Sequence, residues 1–308
     1  MKGLIVVSLI MAGMVLMVAF STPAQAQNPA NDLKPTFISP TPGLYVNGWP
    51  AFTLSYPKEW VEFPSPGPNG VFIAAPPGPD LPRPTILIVV KASPLPLEDW
   101  AKIFMPVWVE YADIKVLSNK PSQLKDGTPA WEVETESVER NGARKENLLF
   151  LATKKDLTWV AVALIAPEGK LSEDLKRIAY SLTFLKGREK PMQVPPDVRA
   201  FLDMVCTDTV GHDVKTIMAH FSDRFLHSGA SKAFWEQWYR NDPASPVQRG
   251  VISQEVTVTV FEARGDKAYV DGFFLSKAKG DATAVKSPMT YQQIINEHGE
   301  WKWYGNQK

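Results

Sequence analysis

Asp271 and His220 are the residues by which this chain would do acid–base chemistry. A general base must sit in a pocket within reach of substrate, so position matters more than type. Asp271 shares strand parity with Tyr269, Phe273 and Leu275. If that set faces a cavity, a carboxyl lies among aromatic rings and burial raises its pKa. In the opposite register Ala268, Val270 and Phe274 turn inward and Asp271 does not; both registers stay open. His220 lies at the edge of the apolar stripe Val214, Ile217, Met218 and Phe221. His212, His220 and His227 are eight and seven residues apart, not the i, i+3 or i+4 spacing of helical metal pairs. Asp203 falls off its helix's apolar stripe and is expected in solvent. Trp235, Trp238, Tyr239, Tyr269, Phe273 and Tyr291 are the candidate walls of a ligand pocket, although at helical spacing core is the simpler role for the first three.

Other chemistries find little support. Glu132, Glu134 and Glu136 alternate along one strand, but Trp131, Val133 and Thr135 supply an inward face, and Arg144 and Lys145 on the facing strand balance the carboxylates. A solvated face is expected there and no metal. Nucleotide-binding loops, GxSxG, HExxH and CxxC are absent, and no cofactor is expected. Cys206 is the only cysteine, set in an apolar helical run and expected as a small buried hydrophobe, so packing alone must hold the chain. With 33 basic and 33 acidic residues the net charge is zero, which gives no field to attract nucleic acid or an anionic membrane.

The elements that position these residues divide along the chain. Lys2 precedes an uncharged apolar run from Gly3 to Phe20; Pro23 breaks it, and Ala24-Gln25-Ala26 matches a small-x-small cleavage pattern. Residues 1–26 are therefore expected as a signal peptide cleaved after Ala26, making the protein periplasmic or extracellular; an uncleaved anchor is the competing reading. A proline-rich lead-in fills 27–44. The stretch from Lys186 to Pro196 holds three prolines, a glycine and four charges without an apolar run, and 187–196 is expected as a linker.

Between them, 45–186 predicts an α+β domain, an antiparallel sheet flanked by helices. Phe52, Leu54 and Tyr56 alternate as a one-faced strand and Thr85 to Val90 is a continuous apolar one. Leu97, Trp100, Ala101 and Phe104 form a helical stripe that Pro106 ends. Strands are expected at 114–117, 131–138, 147–153 and 158–166, with Asn141-Gly142 a hairpin turn, then a helix capped by Ser172. The strand running into Tyr56-Pro57-Lys58-Glu59-Trp60, a helix with Leu97-x-x-Trp100, the long hairpin and the closing Ser181-Leu-Thr-Phe184 resemble the PsbP-like family. That resemblance implies a non-enzymatic docking or assembly domain without a transferable catalytic residue.

Residues 197–308 predict three helices followed by strands. Val198, Phe201, Leu202, Val205 and Thr209 form the first stripe; Asp213 caps a second helix; Ser231 caps a third with Phe234, Trp235 and Trp238 inward. Glu297-His298-Gly299-Glu300 is a hairpin turn into Trp301-Lys-Trp303-Tyr304. Three helices and a sheet ending in Gly299-Glu-Trp-Lys-Trp303 are similar to the nuclear-transport-factor-2-like superfamily, which includes SnoaL-type cyclases and ketosteroid isomerase. The resemblance implies a cone enclosing a mostly apolar pocket, used by enzymes and plain binders alike. The expectation is an exported, non-enzymatic binding or assembly protein of the bacterial cell envelope. Its partner would be an unidentified envelope protein or a small apolar ligand, with a homodimer through the C-terminal sheet also open. The alternative is an isomerase- or dehydratase-type enzyme using Asp271 or His220.

Overall fold

The computed structural model of the chain describes residues 33–63, 70–78, 83–92, 95–99, 111–139 and 145–308. The expected signal segment, residues 27–32 of the lead-in, Trp100 to Phe104 of the expected helix and the Asn141-Gly142 turn lie outside the described residues. These residues form a mixed, mostly β-sheet structure with four α-helices and a curled half-barrel sheet.

Seven strands lie side by side in the order β3 (Val61–Phe63), β4 (Gly70–Ala75), β5 (Thr85–Ala92), β9 (Thr158–Pro167), β8 (Lys145–Lys155), β7 (Pro129–Glu139) and β6 (Tyr111–Gln123), each antiparallel to its neighbours. β7 and β8 pair with Val138 opposite Lys145, the arrangement the Asn141-Gly142 signal predicts. A smaller sheet joins β1 (Leu44–Asn47), β2 (Phe52–Ser55) and β10 (Thr183–Phe184). Phe52 and Leu54 are fully buried, as their alternation requires, and pack with Ile86, Ile88, Val162 and the helix α1 (Glu173–Ala179). Ser172 caps α1, its hydroxyl accepting the Leu175 N–H at 3.3 Å.

Two of the three glutamates of β7 depart from the solvated face expected of them, while Glu136 stays exposed. Val133 does pack inward, with Leu148, Phe150 and Trp159, but the opposite face is also covered, and Glu132 is only 7% exposed. The reason is the end of α1, which brings Lys176 and Tyr180 over the strand. The Tyr180 hydroxyl donates to Glu132, Lys120 Nζ lies 3.3 Å from Glu132, and Lys176 donates to Glu134 at 2.8 Å. Lys115 pairs with Glu136 at 3.2 Å, whereas Lys145 pairs with Glu168 at 3.8 Å; Arg144 is outside the described residues. A buried carboxylate losing a hydrogen-bond donor costs about 1–3 kcal/mol. Tyr180→Phe is therefore expected to lower unfolding free energy in urea by about 1–2 kcal/mol. A solvated Glu132 would leave it unchanged.

The C-terminal residues build a second core. α2 (Pro196–Gly211) starts on Pro196, where the missing N–H is no loss. Asp213 caps α3 (Val214–Ala219) through the N–H groups of Lys215 and Thr216, and Ser231 caps α4 (Lys232–Asn241). The two-residue strands β11 (Leu226–His227) and β12 (Ala230–Ser231) pair with each other just before α4. Against the helices lies the sheet β13 (Val251–Arg264), β14 (Lys267–Ala278), β16 (Gln293–Glu297), β17 (Glu300–Trp303), with β15 (Val285–Pro288) also on β14. His298 and Gly299 both have positive φ, 58° and 91°, the two-residue turn that matches strand twist between β16 and β17. Phe234 departs from its expected inward place: it is 51% exposed, because the buried stripe of α4 runs through Trp235 and Tyr239. Cys206 is buried as expected, and burial pushes its thiol up to about 12. Among the described residues no helix is long and apolar enough to cross a membrane.

Candidate functional site

The two faces of β14 separate the candidate residues. Ala268 and Val270 are fully buried in the second core with Ile294 and Trp303. Tyr269, Asp271 and Phe273 therefore point the other way, and residues 34–49 cover them. Phe37 packs on Tyr269 with ring centroids 5.7 Å apart, and Trp49 on Phe273 at 4.9 Å. Lys34 pairs with Glu262 at 2.7 Å, and Arg264 Nη2 donates to the Ile38 carbonyl at 3.0 Å.

Asp271 is the centre of that junction. It is 1% exposed; Gly272 N–H donates to its Oδ1 at 2.7 Å, while Oδ2 has no hydrogen-bond partner among the described residues. A Cβ placed on Gly48 would lie 2.0 Å from that oxygen, so the close approach exists only because residue 48 lacks a side chain. Burial drives the carboxyl up to about 8, opposed by the N–H groups of Gly272 and Trp49. Asp271 is thus a buried carboxyl with a raised pKa, as the aromatic-face register predicts, but it faces the N-terminal residues and not a cavity.

His220 ties two helices together. Its Nε2 lies 2.6 Å from Asp208 Oδ2 and its ring stands edge-on to Phe201 at 6.0 Å, tying the end of α3 to α2. Asp203 is exposed and pairs with Arg199 at 2.5 Å. His227 is enclosed by Phe225, Trp235 and Tyr291, accepts the Asn306 N–H on Nδ1 at 3.3 Å, and burial lowers its pKa to about 4. The described residues hold no group of three His, Cys, Asp or Glu side chains arranged to hold a metal ion.

Four of the six expected pocket residues do converge. Trp235, Trp238, Tyr239 and Tyr291 line a cavity of about 470 Å³ between α2, α4 and the concave face of the sheet. Small-molecule sites span roughly 300–1,000 Å³. Trp235 meets Tyr291 edge to face at 5.0 Å and Trp238 at 5.3 Å, and the Tyr291 hydroxyl donates to that of Tyr239 at 3.5 Å. Burial raises both phenols above their ordinary value. Trp235 Nε1 finds no partner among the described residues. Phe273 is set apart on the covered face, and Tyr269 lines a separate hollow of about 220 Å³ with Phe37, Glu62 and Lys308.

Sequence reasoning misses the polar part of the cavity wall. Gln254 donates to Ser276 at 2.9 Å, Arg249 Nη2 to Asp281 at 3.2 Å, and Lys91 and Ala92 reach the wall from β5, against which β15 lies. Arg249 and Asp281 sit 32 residues apart in polar loops, and no spacing rule joins them. Only strand pairing could, since Val251 lies opposite Ala278.

No protein-family profile matches the chain, and no curated protein matches it. Among solved structures it is similar at low identity to cyanobacterial PsbP (CyanoP) from Synechocystis, with 12% identity, 47% of this chain and 94% of that one covered, and a TM-score of 0.36. It is similar to LpqN, involved in cell envelope biogenesis of Mycobacterium tuberculosis, at 14% identity, 44% and 83% coverage and a TM-score of 0.34. These two likenesses fall on the N-terminal part. A protein of Bacteroides thetaiotaomicron is similar over 85% of this chain and 89% of its own length, at 11% identity and a TM-score of 0.35.

Proposed function

We propose that the chain is an exported, non-enzymatic binding protein of the cell envelope that holds a small, mostly apolar ligand in the cavity under Trp235, Trp238 and Tyr291. In this reading residues 197–308 are a nuclear-transport-factor-2-like cone and residues 45–186 a PsbP-like unit that docks on a partner. The observation that carries it is the cavity itself, a space of ligand size with six aromatic side chains on its wall. Catalysis by the expected bases is disfavoured because Asp271 and His220 both lie outside that wall. The ionisable groups on it are Lys91, Arg249 and Asp281 and the two phenols, whose pKa burial raises above the ordinary value.

A cavity-filling variant tests the reading. Thr290 is on the wall and half-buried, and Thr290→Trp places an indole in the space. The uncharged probe N-phenyl-1-naphthylamine is expected to bind the parent chain at micromolar concentration and the variant at least tenfold more weakly. Unchanged circular dichroism would show the variant folded. Equal binding to both chains would reject the cavity as the site.

A further inference from the structure

The 470 Å³ cavity is not uniform along its length. At its closed end Trp235 and Trp303 are 2% and 1% exposed and bring no charge. Among the described residues, the charged side chains on its wall are Lys91, Arg249 and Asp281, two cations and one anion. Arg249 and Asp281 keep 39% and 32% of their side-chain surface, so charge is gathered where the cavity meets water.

Within that group Asp281 is already engaged. Its Oδ2 accepts the Ala278 N–H at 2.9 Å and Arg249 Nη2 at 3.2 Å. A guanidinium carries five N–H donors in a planar fork, and the bond to Asp281 uses one. Asp281 therefore holds Arg249 in place and leaves most of its donors for an acceptor at the mouth. A carboxylate or similar oxyanion matches that fork, and charge-assisted bonds are roughly twice as strong as neutral ones.

The geometry points to a free amphiphile as the ligand, with a single apolar chain lodged among Trp235, Trp238, Tyr291 and Trp303 and an anionic oxygen head on Arg249. This rests on the cavity being the binding site, and it adds the charge, the polarity of entry and the residue that reads the head. Asp281 acts as a positioning residue, orienting the guanidinium without touching the ligand.

The test uses the purified chain and three probes of equal chain length: decanoate, decanol and decyltrimethylammonium, measured by calorimetry and native mass spectrometry. Decanoate is expected to bind roughly tenfold more tightly than decanol, and the cation more weakly than either. Arg249→Gln is expected to remove the preference for decanoate, about tenfold in Kd, while decanol binding stays unchanged; Arg249→Lys restores part of it. Asp281→Asn is expected to weaken decanoate by a few-fold only, through loss of orientation. Decanol and decanoate binding equally, with Arg249→Gln silent, would overturn the anionic head and leave the cavity reading standing. No probe binding, together with an unaffected Thr290→Trp variant, would sink both. Co-sedimentation with phosphatidylglycerol vesicles that needs Arg249, without uptake of free decanoate, would assign the head to a bilayer lipid and overturn the free ligand.

Discussion

Asp271→Asn is expected to make the folded chain more stable at pH 8 by about 2–5 kcal/mol, and to leave it nearly unchanged below pH 4. In the folded chain the carboxyl is pushed up to about 8, against 3.8 for an ordinary aspartate. Across that window the folded state holds a proton that the unfolded state has released, so stability falls as pH rises from about 4 to about 8. Each pKa unit corresponds to 1.36 kcal/mol, and relaxation around the charged form reduces the total below the full product. Asparagine keeps the shape and the oxygen that accepts the Gly272 N–H, and it has no charge to desolvate. His227 works in the opposite direction: its pKa is lowered to about 4, so its share of stability is lost as pH falls from about 6.5 towards 4. Subtracting the variant's urea-unfolding curve from the parent's at each pH cancels that share. The difference should grow from pH 5 to about 8 and level off above it. Parallel curves would mean that the carboxyl is solvated and that residues 34–49 do not cover it.

That junction marks the limit of what the sequence makes legible. Period-two alternation on β14 separates Tyr269, Asp271 and Phe273 from Ala268 and Val270, but both faces are covered: Ala268, Val270 and Asp271 are buried, and Tyr269 and Phe273 are half-buried under Phe37 and Trp49. Alternation assigns faces; it does not say which neighbour covers each. The covering residues come from Lys34 to Trp49, more than 200 positions earlier, in a stretch whose prolines read only as irregular chain. β7 fails for the same reason, since Tyr180 and Lys176 reach Glu132 and Glu134 from a helix about 40 residues later. By contrast, features fixed by neighbours in the chain are readable. Ser172, Asp213 and Ser231 cap their helices as expected, and the His298-Gly299 turn forms between its strands. The aromatic wall is legible because Trp235, Trp238 and Tyr239 share one helix; its charged mouth is not, because Lys91, Arg249 and Asp281 meet only through tertiary packing.

Gly48→Ala is expected to destabilise the chain by about 2–4 kcal/mol, a large effect for one methyl group. The added carbon would stand 2.0 Å from Asp271 Oδ2 and 2.8 Å from its Cγ, distances no relaxed contact reaches. Neither partner can yield cheaply. Gly48 is buried between Asn47 and Trp49, and the Trp49 ring is packed on Phe273. Asp271 is fixed by the Gly272 N–H and by a strand whose register shifts between Val258 and Val260 directly opposite it. Forcing volume into a filled site typically costs about 1–3 kcal/mol, and displacing the packed segment adds to that. The same geometry makes the penalty conditional. In an Asp271→Ala background the carboxylate is gone, and the methyl group added at position 48 enters the space it leaves. The two substitutions should therefore couple by about 2 kcal/mol in a double-mutant cycle, within the range found for residues in contact. Additive costs would show that Gly48 is needed for its own backbone and not for the approach of Asp271, and the packing of residues 34–49 on β14 would have to be redrawn.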